Sequence, residues 1–273
     1  MRLGGLLRAS HPGPVLTVTA ITAALAATAG RGPAGTVLVA LTILAGQLSI
    51  GWGNDVLDRD RDRAAGRHRK PVASGLVPAR TVAAAAALAL AACVPLSLAN
   101  GLQAGAAHLI AVGSAWAYDL GVKATPLSFV PYAVSFGLLP AVVTYGLPGH
   151  PAPPGWAVAS GALLGVAAHM TNVLPDIDGD LATEVRGLPQ RLGAGTARLV
   201  AMTLLLAASA VLAAVPPGAP GLAGWLALGG SATLAVVGVA GPRRVGSRAP
   251  FLATMGIAAA DVALLVLRGG GLA

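Results

Sequence analysis

The sequence predicts an all-α integral membrane protein, and three observations carry that prediction. Only 10% of its 273 residues are charged and 55% are hydrophobic, whereas a soluble domain carries about 25% charge. Mean hydropathy is +0.75. The charge is also concentrated: nine of the ten carboxylates lie in two stretches, 54–75 and 172–193, or at Asp119 between them. What remains is a set of long uncharged runs suited to crossing a bilayer as helices.

Gly/Pro clusters and charges divide the chain into nine candidate crossings. The first, 14–29, ends at GRGPAG (30–35), and the second, 36–53, runs uncharged up to Asn54. The third, 81–99, is separated by Asn100 and Gly101 from the fourth, 102–118. The fifth, 127–145, carries Pro131 and Pro140 and is expected to bend. LPGHPAPPG (147–155) leads into the sixth, 156–172, and the seventh, 196–215, stops at PPGAPG (216–221). The eighth and ninth are 222–240 and 251–267, and Asp261 in the last is the sole carboxylate within a run. Abundant Ala and Gly favour close helix contacts in lipid. No small-residue cleavage site follows the first run, so that helix is expected to be retained. Cys93 is alone in an apolar run, which excludes a disulfide framework and a Cys-based metal site.

Lys and Arg orient the bundle. Of 18, only Arg31 and Arg268 fall on one side of the nine crossings, and the other sixteen fall on the opposite side. The positive-inside rule then places the N-terminus and both acidic stretches in the cytoplasm and the C-terminus outside. The net charge of +8 reflects this topology and implies no nucleic-acid partner.

The acidic stretches repeat one another. Asn54, Asp58, Asp60, Asp62, Pro71 and Gly75 match Asn172, Asp176, Asp178, Asp180, Pro189 and Gly193 at a constant offset of 118. Four crossings separate Asn54 from Asn172, so both motifs return to the same face in a parallel repeat. A 4+4+1 pseudo-repeat within one domain, 1–273, is the simplest architecture. If the second helix continues through Asp62, then Asp55, Asp58 and Asp62 share one face, while Asp60 and Asp178 turn away from theirs. Like charges at that spacing call for a hard divalent cation bridging to a phosphate.

At these residues the chain resembles the UbiA superfamily of intramembrane prenyltransferases. Asn54, Asp55, Asp58 and Asp62 match its NDxxDxxxD signature, and Asp176 and Asp180 match its DxxxD signature. The resemblance implies a bundle around a lateral cavity open to lipid, with Mg²⁺ held against a prenyl diphosphate. Carried over, the metal set is Asn54, Asp55, Asp58, Asp62, Asp176 and Asp180. The catalytic set is Asp58, Asp62, Asp176, Asp180 and Lys123. The substrate-binding set adds Asn54, Tyr118, Arg67, Lys70 and Asn172. Val173 stands opposite Asp55 where relatives carry Asp or Asn, which leaves the second motif with fewer oxygens. The implied reaction moves an isoprenyl group to an aromatic or lipid-like acceptor in the membrane. A cyclase acting on the diphosphate without an acceptor is the alternative. A transporter would place its charged groups near the midplane.

Five further groups remain, and the first two have two readings each. Arg67, Arg69 and Lys70 are diphosphate contacts or positive-inside anchors. Phe129, Tyr132 and Phe136, at i, i+3 and i+7, are packing or a tunnel wall. His108 and His169 read as hydrogen-bonded core residues, and Asp261 as a bond to a neighbouring helix. Arg8 and His11 can reach the site from the cytoplasmic side.

Overall fold

The structure, a computed structural model, describes residues 3–218, 221–240 and 249–272, which are helical with no strand. Arg2, Arg243, Arg244 and Arg248, counted in the charge asymmetry, lie outside the described residues. A short surface helix α1 (Leu3–Ala9) precedes α2 (Pro12–Thr28) and α3 (Gly32–Leu57); α4 (Arg59–Ala64) continues the first motif. Then come α5 (Ala79–Ala99), α6 (Leu102–Leu120), α7 (Val130–Gly137), α8 (Leu139–Thr144) and α9 (Gly155–Val173). The second motif forms α10 (Ile177–Ala182), followed by α11 (Leu188–Ala214), α12 (Leu222–Ala240) and α13 (Ala249–Leu267). Among the described residues, four helical runs are long and apolar enough to cross a membrane: α3, α5, Gly155–Ala182 and α11.

Helices adjacent in sequence pack side by side, and α13 returns to pack on α2, which closes the bundle. The main core lies among α2, α3, α9, α11 and α13, with Leu25, Ile43, Leu205, Leu212 and Ile257 fully buried. Leu16, Leu88, Ile110, Leu199 and Leu226 point outward, as expected of a surface in contact with lipid.

The expected bend in the fifth crossing falls at Leu138, a single turn residue of helical geometry whose N–H bonds Val134 O at 3.0 Å. Pro140 has no N–H to give to the preceding turn, so α7 stops at Gly137 and α8 restarts beyond Leu138. Pro175 has a similar effect after α9, where Leu174–Asp176 tighten into a 3₁₀ turn. The first motif has Leu57 at the matching position and stays nearly helical: the Asp58 N–H bonds Asn54 O at 2.9 Å and the Asp62 N–H bonds Asp58 O at 2.7 Å. The two motifs are therefore alike in sequence but not in backbone.

Close approaches fix the walls of the site. On α9, a Cβ at Gly165 would meet the Tyr132 carbonyl and the Phe136 ring, so α7 and α9 pack as near as their backbones allow. On α3, a Cβ at Gly51 would strike the Ser10 carbonyl. With the bond from Trp52 Nε1 to Leu6 O (2.9 Å), this contact ties the N-terminal arm to the end of α3 that carries the first motif.

The opposite end is also pinned. Arg31 Nη2 donates to Asn100 Oδ1 (2.7 Å), and Asn100 Nδ2 donates to Thr42 Oγ1 (2.9 Å). The Arg31 guanidinium fills the space a Cβ at Gly146 would need. Cys93, His108 and Asp261 are core residues. His108 Nδ1 lies 2.7 Å from Ser97 Oγ, and the buried Asp261 accepts a hydrogen bond from Ser209 of α11.

Candidate active site

Both acidic motifs emerge at the same end of the bundle. Asp55, Asp58 and Asp62 lie on the buried side of the α3–α4 run, each no more than 7% exposed. Asp60 points away, its side chain 75% exposed and paired with Arg59 at 2.9 Å. Asp178 is also exposed.

Asn54 organises the first wall. Its Nδ2 donates to Asp58 Oδ2 (3.0 Å) and to Asp119 Oδ1 (2.7 Å). Lys123, in the turn after α6, donates to Asp58 Oδ1 at 2.5 Å, and Arg61 Nη2 reaches Asp58 Oδ2 at 2.6 Å. Asp55 Oδ2 accepts the Val72 N–H (3.3 Å), which anchors the loop that follows the motif. Lys70 Nζ stands 3.2 Å from Asp55 Oδ1, 3.8 Å from Asp62 Oδ2 and 3.1 Å from His11 Nε2.

The second wall is more open. The Asp176 side chain is 52% exposed, because the 3₁₀ turn at Pro175 lifts it off the α9 face. Asp180 is buried and accepts from Gln190 Nε2 at 2.8 Å. Asn172 is exposed to the cavity and shares a side-chain hydrogen bond with Tyr132.

Arg67 joins the two walls. Its Nη1 lies 3.1 Å from Asp62 Oδ1, and its Nη2 lies 2.8 Å from Asp180 Oδ1 and 3.3 Å from Asp176 Oδ1. Burial of the guanidinium works against its charge, but the contacts with Asp180, Asp176 and Asp62 outweigh it and raise its pKa above the ordinary arginine value.

These groups border a cavity of about 1170 Å³ that runs into the bundle along Val18, Gln47, Ile50, Ser135 and Phe136. Asn54, Asp58, Asp176 and Asp180 line it, with Arg67, Lys70 and Lys123. Asp55 and Asp62 do not; they sit behind Lys70 and Arg67. Tyr118 and Tyr132 form its upper wall, edge to face with centroids 5.3 Å apart, and Tyr132 stacks on Phe136 at 6.3 Å. Phe129 instead packs in the core with Met170 and Ala197. His169 lies behind both tyrosines, with Nε2 3.0 Å from Ser128 Oγ.

Among the described residues, no group of three or more His, Cys, Asp or Glu side chains is arranged to hold a metal alone. The residues nevertheless fit Mg²⁺. That ion takes one or two carboxylates and completes its shell with phosphate oxygens and water. Asp58, Asp176 and Asp180 present carboxylate oxygens to one cavity from two walls, the hard oxygen donor set this ion takes.

Arg61, Asp119 and Gln190 also belong to the site, although the motifs do not single them out. The i, i+4 spacing of Asp119 to Lys123 is the signal for the first wall. Gln190 has the apolar Val72 as its counterpart in the repeat, which gives no signal.

The fold and site define a helical membrane protein whose acidic and basic side chains cap one end of an apolar cavity. A family comparison identifies it: the model of the UbiA prenyltransferase family matches residues 15–258. The chain belongs to the UbiA prenyltransferase family and is an enzyme of the prenyltransferase class. A search of curated proteins finds no match. Among solved structures, it resembles a UbiA homologue from Archaeoglobus fulgidus bound to GPP and Mg²⁺, with 18% identity over 97% of this chain and 98% of that one, TM-score 0.71. It also resembles an apo UbiA homologue from Aeropyrum pernix K1, with 20% identity, 93% and 94% coverage and TM-score 0.68. A digeranylgeranylglyceryl phosphate synthase gives 16% identity, 98% coverage of both chains and TM-score 0.67.

Proposed function

We propose that this protein transfers an isoprenyl group from a prenyl diphosphate to an aromatic or lipid-like acceptor inside the membrane, using Mg²⁺. The observation that carries the reading is Arg67, which spans Asp62 of one motif and Asp180 of the other above an apolar cavity. A likeness to the A. fulgidus homologue bound to GPP and Mg²⁺ supports it. Asn54, Asp58, Asp176 and Asp180, which line the cavity, would hold the metal, with Asp55 and Asp62 behind them. When bound, Mg²⁺ neutralises the charge that develops on the departing diphosphate. Lys123, Arg67 and Lys70 bind the remaining phosphate oxygens. Tyr118 and Tyr132 face the allylic end of the substrate with their rings, which favour a developing cation. The polar cap keeps bulk water from that carbon.

The cavity, at about 1170 Å³, exceeds the roughly 300–1,000 Å³ typical of a single-ligand pocket. The charge asymmetry and the offset of 118 support a nine-crossing 4+4+1 bundle forming one domain over 1–273, with Asn54 and Asn172 at equivalent positions. The same asymmetry supports placement in the inner membrane with the site facing the cytoplasm. The test is to incubate purified protein with GPP, Mg²⁺ and a panel of aromatic and isoprenoid-lipid acceptors. Prenylated acceptor with release of diphosphate is expected. A cyclic hydrocarbon or alcohol formed without acceptor would replace transfer with cyclisation.

A further inference from the structure

Six carboxylates converge here, Asp55, Asp58, Asp62, Asp119, Asp176 and Asp180, and basic side chains of the same chain already neutralise them. Arg61 and Lys123 share Asp58 at 2.6 and 2.5 Å, and Lys70 faces Asp55 at 3.2 Å. Arg67 occupies the space between the motifs, within 3.3 Å of Asp62, Asp176 and Asp180. A divalent cation joining the two motifs needs those same oxygens. A cation arriving alone must displace Arg67 and leave a guanidinium, only 19% exposed, without a counter-charge, which is costly in a partly buried site. A diphosphate arriving alone meets Arg61, Arg67, Lys70 and Lys123 already committed to carboxylates, which leaves it the exposed Arg8 and Arg69 at the cavity. When both arrive together, Arg67 exchanges carboxylate oxygens for phosphate oxygens, the cation takes the carboxylates, and every charge keeps a partner.

We propose that Arg67 is an internal counter-ion that makes binding of the divalent cation and of the diphosphate strongly cooperative. Neither binds well alone, and each greatly tightens the other. The inference rests on the metal-diphosphate reading above and adds the reason for their coupling. Cooperativity is reciprocal, so it is measurable from either ligand. Arg67 is suited to this role because its planar fork touches both walls at once, which a lysine ammonium does not do.

The experiment measures Mn²⁺ binding to the full-length protein in detergent, by electron paramagnetic resonance of free Mn²⁺, with and without inorganic pyrophosphate. Wild-type protein, Arg67→Gln, Arg67→Lys and Arg59→Gln are compared. Arg59 pairs only with the exposed Asp60, so its variant removes one positive charge from the same surface without touching the cavity. In wild-type protein, pyrophosphate should tighten Mn²⁺ about tenfold or more, after correction for the Mn²⁺–pyrophosphate complex in solution. In Arg67→Gln, Mn²⁺ alone should bind about fivefold to tenfold more tightly, and the gain from pyrophosphate should shrink. Arg67→Lys should lie between, and Arg59→Gln should match wild type. Equal or weaker Mn²⁺ binding by Arg67→Gln without pyrophosphate, in protein that elutes as wild type from size exclusion, would overturn the counter-ion role. An equal gain in Arg59→Gln would overturn it too, reducing the effect to bulk charge. If no variant binds Mn²⁺ even with pyrophosphate, the metal-diphosphate reading itself fails, and the counter-ion role falls with it.

Discussion

Lys123 Nζ lies 2.5 Å from Asp58 Oδ1, and both side chains are about 10% exposed. The pair links the turn after α6 to the end of α3, and Lys123 also stands 3.7 Å from Asp119. Replacing Lys123 with Met leaves two carboxylates facing each other across Asn54 and removes a donor from the phosphate region. Turnover should fall about a hundredfold or more, as for loss of a preorganised charge-stabilising donor. Initial rates with GPP and saturating Mg²⁺ give the answer, and a variant within twofold of wild type would remove Lys123 from the machinery.

Asp58 and Asp176 belong to different motifs but border one cavity. Asp58→Ala and Asp176→Ala should each abolish nearly all turnover, and the double variant should be little worse, because groups acting in one transition state are non-additive. Asp60→Ala and Asp178→Ala should stay within about twofold of wild type, as changes to exposed side chains away from special contacts usually have small effects. Near-normal rates for Asp176→Ala, with Asp58→Ala inactive, would make the more exposed second motif a remnant of the repeat.

Removing the metal should stop the reaction. EDTA is expected to abolish diphosphate release, and added Mg²⁺ or Mn²⁺ should restore it. The same titration read by thermal unfolding should show stabilisation mainly when cation and pyrophosphate are present together, since a ligand stabilises only in proportion to its occupancy of the native state. Unchanged turnover after chelation and desalting would refute the metal requirement.

Asp261 has a structural role. Its bond from Ser209 joins α13 to α11 in the main core, far along the chain from both motifs. Ser209→Ala should lower stability by about 1–3 kcal/mol by leaving a buried carboxyl without its partner. Combining it with Asp261→Leu should recover much of that loss, since replacing both partners with apolar groups is close to neutral. Thermal unfolding in detergent reads the stability, and the rate per folded molecule should not change. A rate loss in Ser209→Ala without any loss of stability would give Asp261 a part in the chemistry.

The helical membrane class and the residues of both motifs were legible because lipid excludes charge. Where charge is so scarce, a cluster of carboxylates marks a surface or a site. The asymmetry of the two walls was not legible from the matched residues, because it arises from Pro175 against Leu57, an unmatched pair between the matched ones. The position of Asp55 and Asp62 behind the cavity wall was hidden for another reason. Helical spacing puts them on the face of Asp58, but the Val72 N–H and Lys70 come from a loop that folds back over that face. Asp119 and Gln190 were hard to see because their roles depend on partners 65 and 10 residues away, Asn54 and Asp180. The interruption at Leu138 was legible because Pro140 has no N–H for the preceding turn.

The clasp of Arg31, Asn100 and Thr42 grips the first half of the 26-residue α3, away from the acidic motifs. With a rise of about 1.5 Å per residue, Asn54 stands roughly 34 Å beyond Arg31 and roughly 18 Å beyond Thr42. The far end of the helix is held as well, by the bond from Trp52 Nε1 to Leu6 O and the contact of Gly51 with Ser10. Fixed at both ends, α3 is a strut that sets where Asn54 stands in the first wall, while the core around Leu25 and Leu212 stays packed.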